Sequence, residues 1–284
     1  MKRSDLVLSL SQRLLLLLFT FVFCYGITAL AVGFMSKLLT DNIPATLRIS
    51  AMLQDVFAFI VPAIATAMIV TRRPAELLCI PTRLSLKNIA LIIAMLFVSI
   101  PLQENIIYWN YHITLPDCLE GFGRAARELE DASFRTMSLL LSNTSIGALV
   151  LNLLIIGLAA GFSEELLFRG CFQRLLTTGG VNRHVAIWIV AIVFSAMHFQ
   201  FYGFVPRVLL GAYFGYLLIW TGSIWAPILA HTLNNMMFVI VAWKQVRDGG
   251  VITDEPTLYS WYAALGSGLL IYMVLFLLHK FRKA

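Results

Sequence analysis

Two adjacent glutamates, Glu164 and Glu165, lie in an otherwise apolar part of the chain, and the fifteen residues before them carry no charge. An ionised carboxylate at the centre of a bilayer costs about 2.5–3.5 kcal/mol even on lenient insertion scales. A membrane helix that keeps two of them needs a compensating benefit, and chemistry is the usual one. The pair therefore predicts a chemical site inside a membrane.

Few other strongly polar side chains lie well inside the apolar segments. They are His198, His231, Asn234 and Asn235, with Arg169 near one segment end. Glutamate and histidine are the residue types that serve general-base catalysis, metal ligation and proton transfer in membranes. The residue types alone leave these three chemistries open.

Helical spacing separates the roles of the two glutamates. At 100° per residue, Glu164 and Glu165 cannot point in the same direction. Glu165 and Arg169 are four residues apart, so they lie on one helix face and can form an ion pair. We expect this pair to anchor the helix and to leave Glu164 free to face a cavity.

The same four-residue spacing occurs twice more along the chain. Phe194 and His198 place an aromatic ring against an imidazole, and His231 and Asn235 lie one turn apart on the same side of a helix. Measured from the presumed cytoplasmic helix ends, Glu165 and His231 lie roughly 12–14 Å deep, whereas His198 lies about 21 Å deep. Because Glu165 and His231 have the same predicted depth, we expect them to meet. The greater depth of His198 permits it to join them but does not support this.

The elements that must position these residues are membrane helices. The chain is 60% hydrophobic and 13% charged, with a mean hydropathy of +0.84, whereas a soluble domain averages about 25% charged residues. Apolar runs of about 20 residues can cross a bilayer. We predict an all-α, polytopic bundle of about eight spans, with seven as the alternative, that forms a single membrane domain over residues 1–284. The predicted spans are Leu14–Met35, Ala51–Val70, Ile89–Ile107, Ile146–Leu167, Val185–His198, Val208–Trp220, Trp225–Trp243 and Tyr259–Leu278, of which the fifth and sixth are short.

The charges predict the orientation of the bundle. With eight spans and a cytoplasmic N-terminus, the inside segments hold thirteen of the 21 Lys and Arg residues and two acids, a net charge of +11. The outside segments hold the other eight basic residues and eleven acids, a net charge of −3. This asymmetry follows the positive-inside rule. We therefore predict cytoplasmic termini in an integral, multi-pass protein, located in the plasma (inner) membrane if the source is bacterial.

The count of charged residues argues against two classes of function. The net charge of +6 is explained by the excess of basic residues on the inner side of the membrane, so we predict no nucleic-acid partner. Asp55 is counted with the outer segments, and no aspartate is assigned to the interior of a span. This placement argues against an aspartyl intramembrane protease.

Two segments outside the core of the bundle have alternative interpretations. Lys2 and Arg3 followed by an apolar run resemble a signal peptide, but the run continues to Met35, which favours a retained membrane anchor. The charged segment Arg124–Arg135, within a long polar stretch, predicts an amphipathic helix on the outer surface. We interpret it as a solvated connection in preference to a binding site.

Three motifs occur in order along the chain: Glu164-Glu165-x-x-x-Arg169, Phe194-x-x-x-His198 and His231-x-x-x-Asn235. Together they resemble the motifs of the CAAX protease and bacteriocin-processing (Abi) family of intramembrane endopeptidases, which includes the type II CAAX prenyl endopeptidase. The motif region covers about residues 146–238, roughly a third of the chain. Each motif alone is weak, whereas all three in order inside predicted membrane helices are a specific signal.

The resemblance implies a role for each motif residue. Glu164 would be the base that activates water together with His198. His231 and Asn235 would bind the oxyanion of the tetrahedral intermediate, and an imidazole and an amide one turn apart can both donate to one developing charge. Glu165 belongs to the same candidate catalytic set.

Two further residues and a metal complete the predicted site. Arg169 and Phe194 would support the catalytic residues by pairing and packing. Some family members are described as metalloproteases, and two histidines with a carboxylate match a catalytic zinc set. If a divalent metal such as Zn is used, its ligands would be Glu164, His198 and His231.

The resemblance implies an intramembrane endopeptidase whose partners are membrane lipids and a membrane-associated or lipidated protein or peptide substrate. The sequence does not select between a substrate lipidated near its C-terminus and a bacteriocin-like peptide. The alternative from another class is a non-catalytic membrane scaffold, a bacteriocin-immunity protein or a transporter. A transporter would be expected to show internal repeats, and we find none in the sequence.

Overall fold

The computed structural model describes residues 7–38, 42–252 and 255–280, and the regular secondary structure of these residues is helical. The helices are α1 (Leu10–Leu38), α2 (Ile43–Val70), α3 (Pro74–Leu77), α4 (Leu86–Val98), α5 (Ile100–Tyr111), α6 (Glu120–Leu141), α7 (Ile146–Thr178), α8 (Arg183–Ala196), α9 (Phe204–Thr221), α10 (Trp225–Arg247) and α11 (Trp261–Lys280). The prediction of an all-α, polytopic bundle is confirmed.

By length and apolarity the number of spans is six or seven, below the predicted eight and compatible with the alternative of seven. Among the described residues, α1, α2, α7, α9, α10 and α11 are each long and apolar enough to cross a membrane. Helices α4 and α5 are bent by 49° relative to each other and together would form a seventh span. The bend coincides with Pro101 in the first turn of α5, where proline cannot continue the preceding helix. The predicted fifth span corresponds to α8, whose 14 residues are fewer than the roughly 20 needed to cross hydrocarbon.

Hydrogen bonds between connecting segments define two ends of the bundle. At one end, Ile224 N donates to Cys79 O at 3.2 Å. At the other end, the Asn110 amide donates to Phe201 O at 3.2 Å, and the Trp243 indole donates to Thr144 O at 2.9 Å. Successive connections alternate between these ends, so α8 also runs from one end towards the other despite its length.

The cytoplasmic assignment of one end stays a prediction. The terminal basic residues on which it partly depends, Lys2, Arg3, Arg282 and Lys283, lie outside the described residues. The end that carries the α2–α4 and α7–α8 connections holds Arg72, Arg73 and Arg83 among its residues.

Helix α6 is the predicted amphipathic helix, and it is longer than the charged segment that predicted it. It packs on the loop between α8 and α9. The Arg127 guanidinium lies 3.3 Å from the centre of the Tyr202 ring and donates to Tyr111 O at 2.6 Å. The Glu130 carboxylate accepts a hydrogen bond from Tyr202 N at 3.1 Å. The helix therefore contacts the loop that follows His198 and is more than a solvated connection.

Helices α7 and α10 cross in close contact because two glycines of α7 face α10. A Cβ at Gly157 would lie 2.6 Å from Met236 Cγ, and a Cβ at Gly161 would lie 2.9 Å from the backbone nitrogen of Thr232. Small residues spaced by four are a common means of close helix approach in membranes. This crossing brings Glu165 of α7 within reach of His231 of α10.

We expect Gly161→Ala to lower the apparent melting temperature of the detergent-solubilised protein and to reduce any activity of the site. The added methyl group meets backbone atoms of Thr232, so the two helices must separate, and overpacking of this kind costs about 1–3 kcal/mol. Gly147→Ala is the matched control, because a Cβ there has no neighbour within 4 Å. Equal melting temperatures for the two variants would contradict the close crossing.

A second contact along α7 involves two glycines of α9. The Arg169 guanidinium donates to Gly211 O at 2.9 Å, and the Gln173 amide donates to Gly215 O at 3.1 Å. Both donors and both acceptors are four residues apart, so the bonds repeat with the helical turn. A Cβ at Gly215 would lie 2.8 Å from the Gln173 side chain. Because Gly211 and Gly215 have no side chains, the buried polar groups of α7 can reach the backbone carbonyls of α9.

Candidate active site

The carboxylate of Glu165 is the centre of a buried polar cluster. Its Oε1 accepts a hydrogen bond from Arg169 Nη1 at 2.8 Å and lies 2.8 Å from Nδ1 of His231. Glu165 and Arg169 are fully buried, and His231 is 5% exposed. The predicted ion pair within α7 is confirmed, and so is the predicted convergence of Glu165 and His231. Through Gly211 O the cluster also includes α9.

Aromatic rings fix the orientation of the His231 imidazole. Phe214 stacks on it with the ring centres 4.9 Å apart, and Phe194 meets it edge-on at 5.8 Å. Nδ1 of His231 lies 2.8 Å from Oε1 of Glu165, so a hydrogen lies between these two atoms, and Nε2 is the ring atom directed at Glu164.

Glu164 approaches His231 without forming a hydrogen bond to it. Its Oε2 lies 3.9 Å from His231 Nε2, beyond hydrogen-bond distance. The same oxygen is buried and has no hydrogen-bond partner among the described residues. The two adjacent glutamates thus have different environments, as predicted. Oε1 of Glu165 is engaged by Arg169 and His231 while its Oε2 is unpartnered, and Glu164 keeps a free acceptor oxygen beside an imidazole without a hydrogen bond to it.

His198 lies two residues beyond the end of α8, in the loop between α8 and α9. Its Nδ1 lies 2.8 Å from Phe194 O, and its ring meets the Phe194 ring at 5.0 Å. A carbonyl only accepts, so Nδ1 carries the hydrogen, and the neutral ring leaves Nε2 as an acceptor. The predicted ring contact is confirmed, but the helix ends before His198. Phe199, with φ of 54°, adopts the left-handed conformation that turns the chain there.

Phe194 connects the two histidines, since it contacts both rings. It also lies under the Arg169 guanidinium, whose Cζ is 4.5 Å from the ring centre. This shared neighbour places His198 next to the Glu165 cluster.

Asn235 and His231 both face α7, as their spacing predicted. The Asn235 amide donates one of its two N–H groups to Ile156 O at 3.1 Å, and the other is not committed by this bond. The neighbouring Asn234 faces a different space. It lines an apolar cavity of about 340 Å³ between α4, α5, α9, α10 and α11, one wall of which is Phe214.

The comparison with protein families covers the segment that holds this cluster. Residues 146–237 match the family model described as Type II CAAX prenyl endopeptidase Rce1-like. This region is Rce1-like. The resemblance predicted from the three motifs is confirmed, and together with the apolar helices it identifies an integral membrane protein.

A curated relative matches part of the chain. Over 101 residues the chain is 26% identical to "Uncharacterized protein YpbD" of Bacillus subtilis (strain 168), which corresponds to 34% of this chain and 49% of the relative. The chain thus spans about half the length of the curated relative it matches. No solved structure matches the chain.

The site includes an aspartate from outside the Rce1-like region. Asp55 of α2 is 6% exposed, and its Oδ1 accepts a hydrogen bond from the Ser163 hydroxyl at 2.9 Å. The assignment of Asp55 to an outer segment is wrong, because the residue is buried beside the helix that carries Glu164. Its position inside the predicted second span was the signal that could have identified it. It lies in a π-helical turn, Gln54–Ile60, a feature that is frequent at functional sites.

Arg207 is the second residue that the motifs do not include. As a side chain near a span end it would ordinarily be an interfacial anchor. In the structure its Nη2 donates at 2.6 Å to the side-chain oxygen of Gln200, in the loop that contains His198, so it belongs to the surroundings of the Rce1-like site.

The predicted metal ligands do not assemble into a metal centre. In the described part of the chain, no three His, Cys, Asp or Glu side chains are grouped as ligands of one ion. Nδ1 of His231 is engaged by Glu165, and Nδ1 of His198 by Phe194 O. These contacts leave Nε2 of both histidines available, as metal-ligating histidines commonly do, so the set Glu164, His198 and His231 stays a prediction, and the metalloprotease interpretation gains no support from the family match.

Proposed function

We propose that the protein is an intramembrane endopeptidase that hydrolyses a peptide bond in a membrane-associated or lipidated protein or peptide. The observation that carries the proposal is the buried, unpartnered Oε2 of Glu164 beside Nε2 of His231, within the Rce1-like region. A carboxylate oxygen without a protein donor can accept a hydrogen bond from water, and this is the arrangement that a general base requires.

The reaction begins with the activation of water. The Glu164 carboxylate removes a proton as the water oxygen attacks the carbonyl carbon of the substrate. Nε2 of His198 can accept a second hydrogen bond from this water, since its Nδ1 hydrogen is held by Phe194 O. The base and the orienting imidazole thus come from α7 and from the loop after α8.

The negative charge on the substrate oxygen would be stabilised by α10. His231 donates from Nε2 when its ring is protonated, and Glu165 at Nδ1 stabilises that cation. The second N–H of Asn235, one turn further along, is the other donor. In this state Glu164 carries the proton taken from water, and the charges of Arg169 and protonated His231 balance those of Glu165 and the oxyanion.

Collapse of the intermediate returns the proton. The bond between the carbonyl carbon and the amide nitrogen breaks, and protonated Glu164 gives its proton to the leaving nitrogen. One carboxylate therefore serves as base and then as acid. A membrane-embedded substrate would place its apolar portion in lipid or in the cavity behind Phe214.

The test is cleavage of a membrane-peptide library by the purified protein in liposomes. We expect His198→Ala to lower the cleavage rate at least about 100-fold, the lower limit for loss of a group that takes part in proton transfer. His112→Ala is the matched control, because His112 is an exposed histidine at the end of α5. A chelator arm of the same assay measures any dependence on a metal ion.

Two results would contradict the proposal. Full activity of His198→Ala would show that cleavage takes place elsewhere on the chain. Absence of cleavage by the wild-type protein across the library would favour the non-catalytic alternative, a scaffold, an immunity protein or a transporter.

A further inference from the structure

The loop that carries His198 has a strained backbone. Helix α8 ends at Ala196, so His198 belongs to the segment that turns away from the helix. Phe199, the next residue, has a φ of 54°. A residue other than glycine carries strain in this left-handed region, and such a conformation persists only where the surrounding structure fixes the chain. The contacts that fix this loop therefore help to decide where the imidazole of His198 lies.

Asn110, at the end of α5, contacts this loop through both groups of its side-chain amide. Its Nδ2 donates to Phe201 O at 3.2 Å, and its Oδ1 accepts from Val205 N at 3.1 Å. A carbonyl only accepts and a backbone N–H only donates, so the side chain between them must offer one donor and one acceptor. Asn110 is 1% exposed, and a buried backbone group that loses its partner is costly. One side chain thus ties the loop to the first turn of α9.

Two other side chains hold the same segment. The Glu130 carboxylate of α6 accepts from Tyr202 N at 3.1 Å, and the Ser195 hydroxyl of α8 donates to Phe204 O at 2.8 Å. Each of these two side chains holds one backbone group, whereas Asn110 holds two. Loss of Asn110 should therefore loosen the loop more than loss of either of the others.

We propose that Asn110 is a positioning residue for the reaction, because it holds the loop after α8 in the conformation that presents Nε2 of His198 to the water. The role of His198 in this proposal rests on the proposed endopeptidase function. Asn110 lies outside residues 146–237, which match the family model, so the candidate site depends on α5 as well as on the matched region. A displacement of about 1 Å at a reacting group can lower a rate about 100-fold.

Asn105 provides a matched control on the same helix. Its Nδ2 donates to Tyr259 O at 3.1 Å, and its Oδ1 accepts from Tyr259 N at 2.7 Å. These are the same two kinds of hydrogen bond that Asn110 forms, but the backbone they hold precedes α11 and does not belong to the His198 loop. Asn105→Ala therefore removes an equivalent clamp at a different place.

The first measurement is the single-turnover cleavage rate in liposomes over a range of peptide concentrations. We expect Asn110→Ala to lower the rate at saturation at least about tenfold and to leave the half-saturating concentration within about twofold of the wild type. Asn105→Ala should keep the wild-type rate. In a chain that already carries His198→Ala, Asn110→Ala should cause no further loss, because Asn110 acts through His198. An equal loss in both backgrounds would indicate a structural role and would overturn the proposal.

The second measurement does not depend on cleavage. Nuclear magnetic resonance of chains with isotope-labelled histidine, in detergent micelles, reports the ring nitrogens of His198, and His198→Ala assigns its signals. We expect Asn110→Ala to shift or broaden these signals and to leave those of His231 in place, whereas Asn105→Ala should change neither. Unchanged His198 signals in folded Asn110→Ala would reject the positioning role. Asn110→Ser, which offers one hydroxyl in place of the amide, serves as the second variant if the alanine variant does not fold.

The two measurements keep this proposal separate from the proposed function. If Asn110→Ala alters the His198 signals but the wild-type chain cleaves no peptide, the hold of Asn110 on the loop stands and the endopeptidase function fails. If Asn110→Ala cleaves at the wild-type rate, the function stands and the positioning role is rejected.

Discussion

Glu164→Gln should abolish peptide cleavage while leaving the folded protein as stable as the wild type. The substitution keeps the size of the side chain and removes the group that takes the proton from water. Loss of a general base typically costs 10²–10⁴-fold in rate, and we expect a loss of at least about 10³-fold because Glu164 would also protonate the leaving nitrogen. The measurement is the single-turnover cleavage rate in liposomes.

Stability distinguishes this prediction from a general loss of structure. Oε2 of Glu164 has no hydrogen-bond partner among the described residues and lies 3.9 Å from the nearest nitrogen of His231. A buried carboxylate without close partners contributes little to the folded state, because its desolvation offsets its attraction to neighbouring charges. The apparent melting temperature of Glu164→Gln should therefore equal or exceed that of the wild type.

Glu128→Gln provides the matched control, since Glu128 is an exposed glutamate on α6. It should change neither the rate nor the melting temperature. Glu164→Asp keeps the charge but withdraws it by one methylene group, so it should retain a small part of the activity. A Glu164→Gln variant that cleaves at the wild-type rate would remove Glu164 from the reaction.

Contacts within one helix were predictable from the sequence, because the helical period fixes which side chains share a face. Glu165 and Arg169 meet at 2.8 Å, and Phe194 and His198 meet ring against ring at 5.0 Å. Equal depth also predicted the contact between Glu165 and His231 on different helices. These inferences needed only residue spacing and the rise of an α-helix.

Contacts that depend on which helices pack against each other were not predictable from residue spacing. Asp55 belongs to α2, and nothing in its local sequence identifies Ser163 of α7 as its partner. The side chain of Arg207 turns back towards Gln200, so its position depends on the conformation of a loop. The glycines Gly157 and Gly161 do form a recognisable small-residue pattern, but their spacing does not reveal that α10 is the helix they contact.

The span count shows a further limit of reasoning from hydropathy. Helix α8 is short, and α4 and α5 are bent at Pro101, so length alone gives six or seven spans where the apolar runs gave eight. Burial against other helices explains the difference. Val190 and Ala191 of α8 are almost fully buried, so this helix is sequestered by its neighbours and does not have to match the thickness of the hydrocarbon by itself.

Single substitutions of the buried ion pair should destabilise the protein more than any other change at the site. In Glu165→Gln the Arg169 guanidinium remains fully buried without its counter-charge, and removal of one partner from a buried pair typically costs about 3–5 kcal/mol. Arg169→Gln leaves the Glu165 carboxylate with His231 as its remaining partner and should show a loss of the same order. The measurement is unfolding in mixed micelles as the fraction of SDS is raised.

The double variant separates stability from positioning. With both charges removed, no uncompensated ion of the pair remains, so the combined loss of stability should be clearly smaller than the sum of the two single losses. Activity should not return with stability, because Nδ1 of His231 would still lack the carboxylate that holds its hydrogen and stabilises its protonated form. Glu165 would then be a positioning residue that acts through His231. Additive losses of stability would contradict the coupling, and recovery of cleavage in the double variant would show that His231 does not need Glu165.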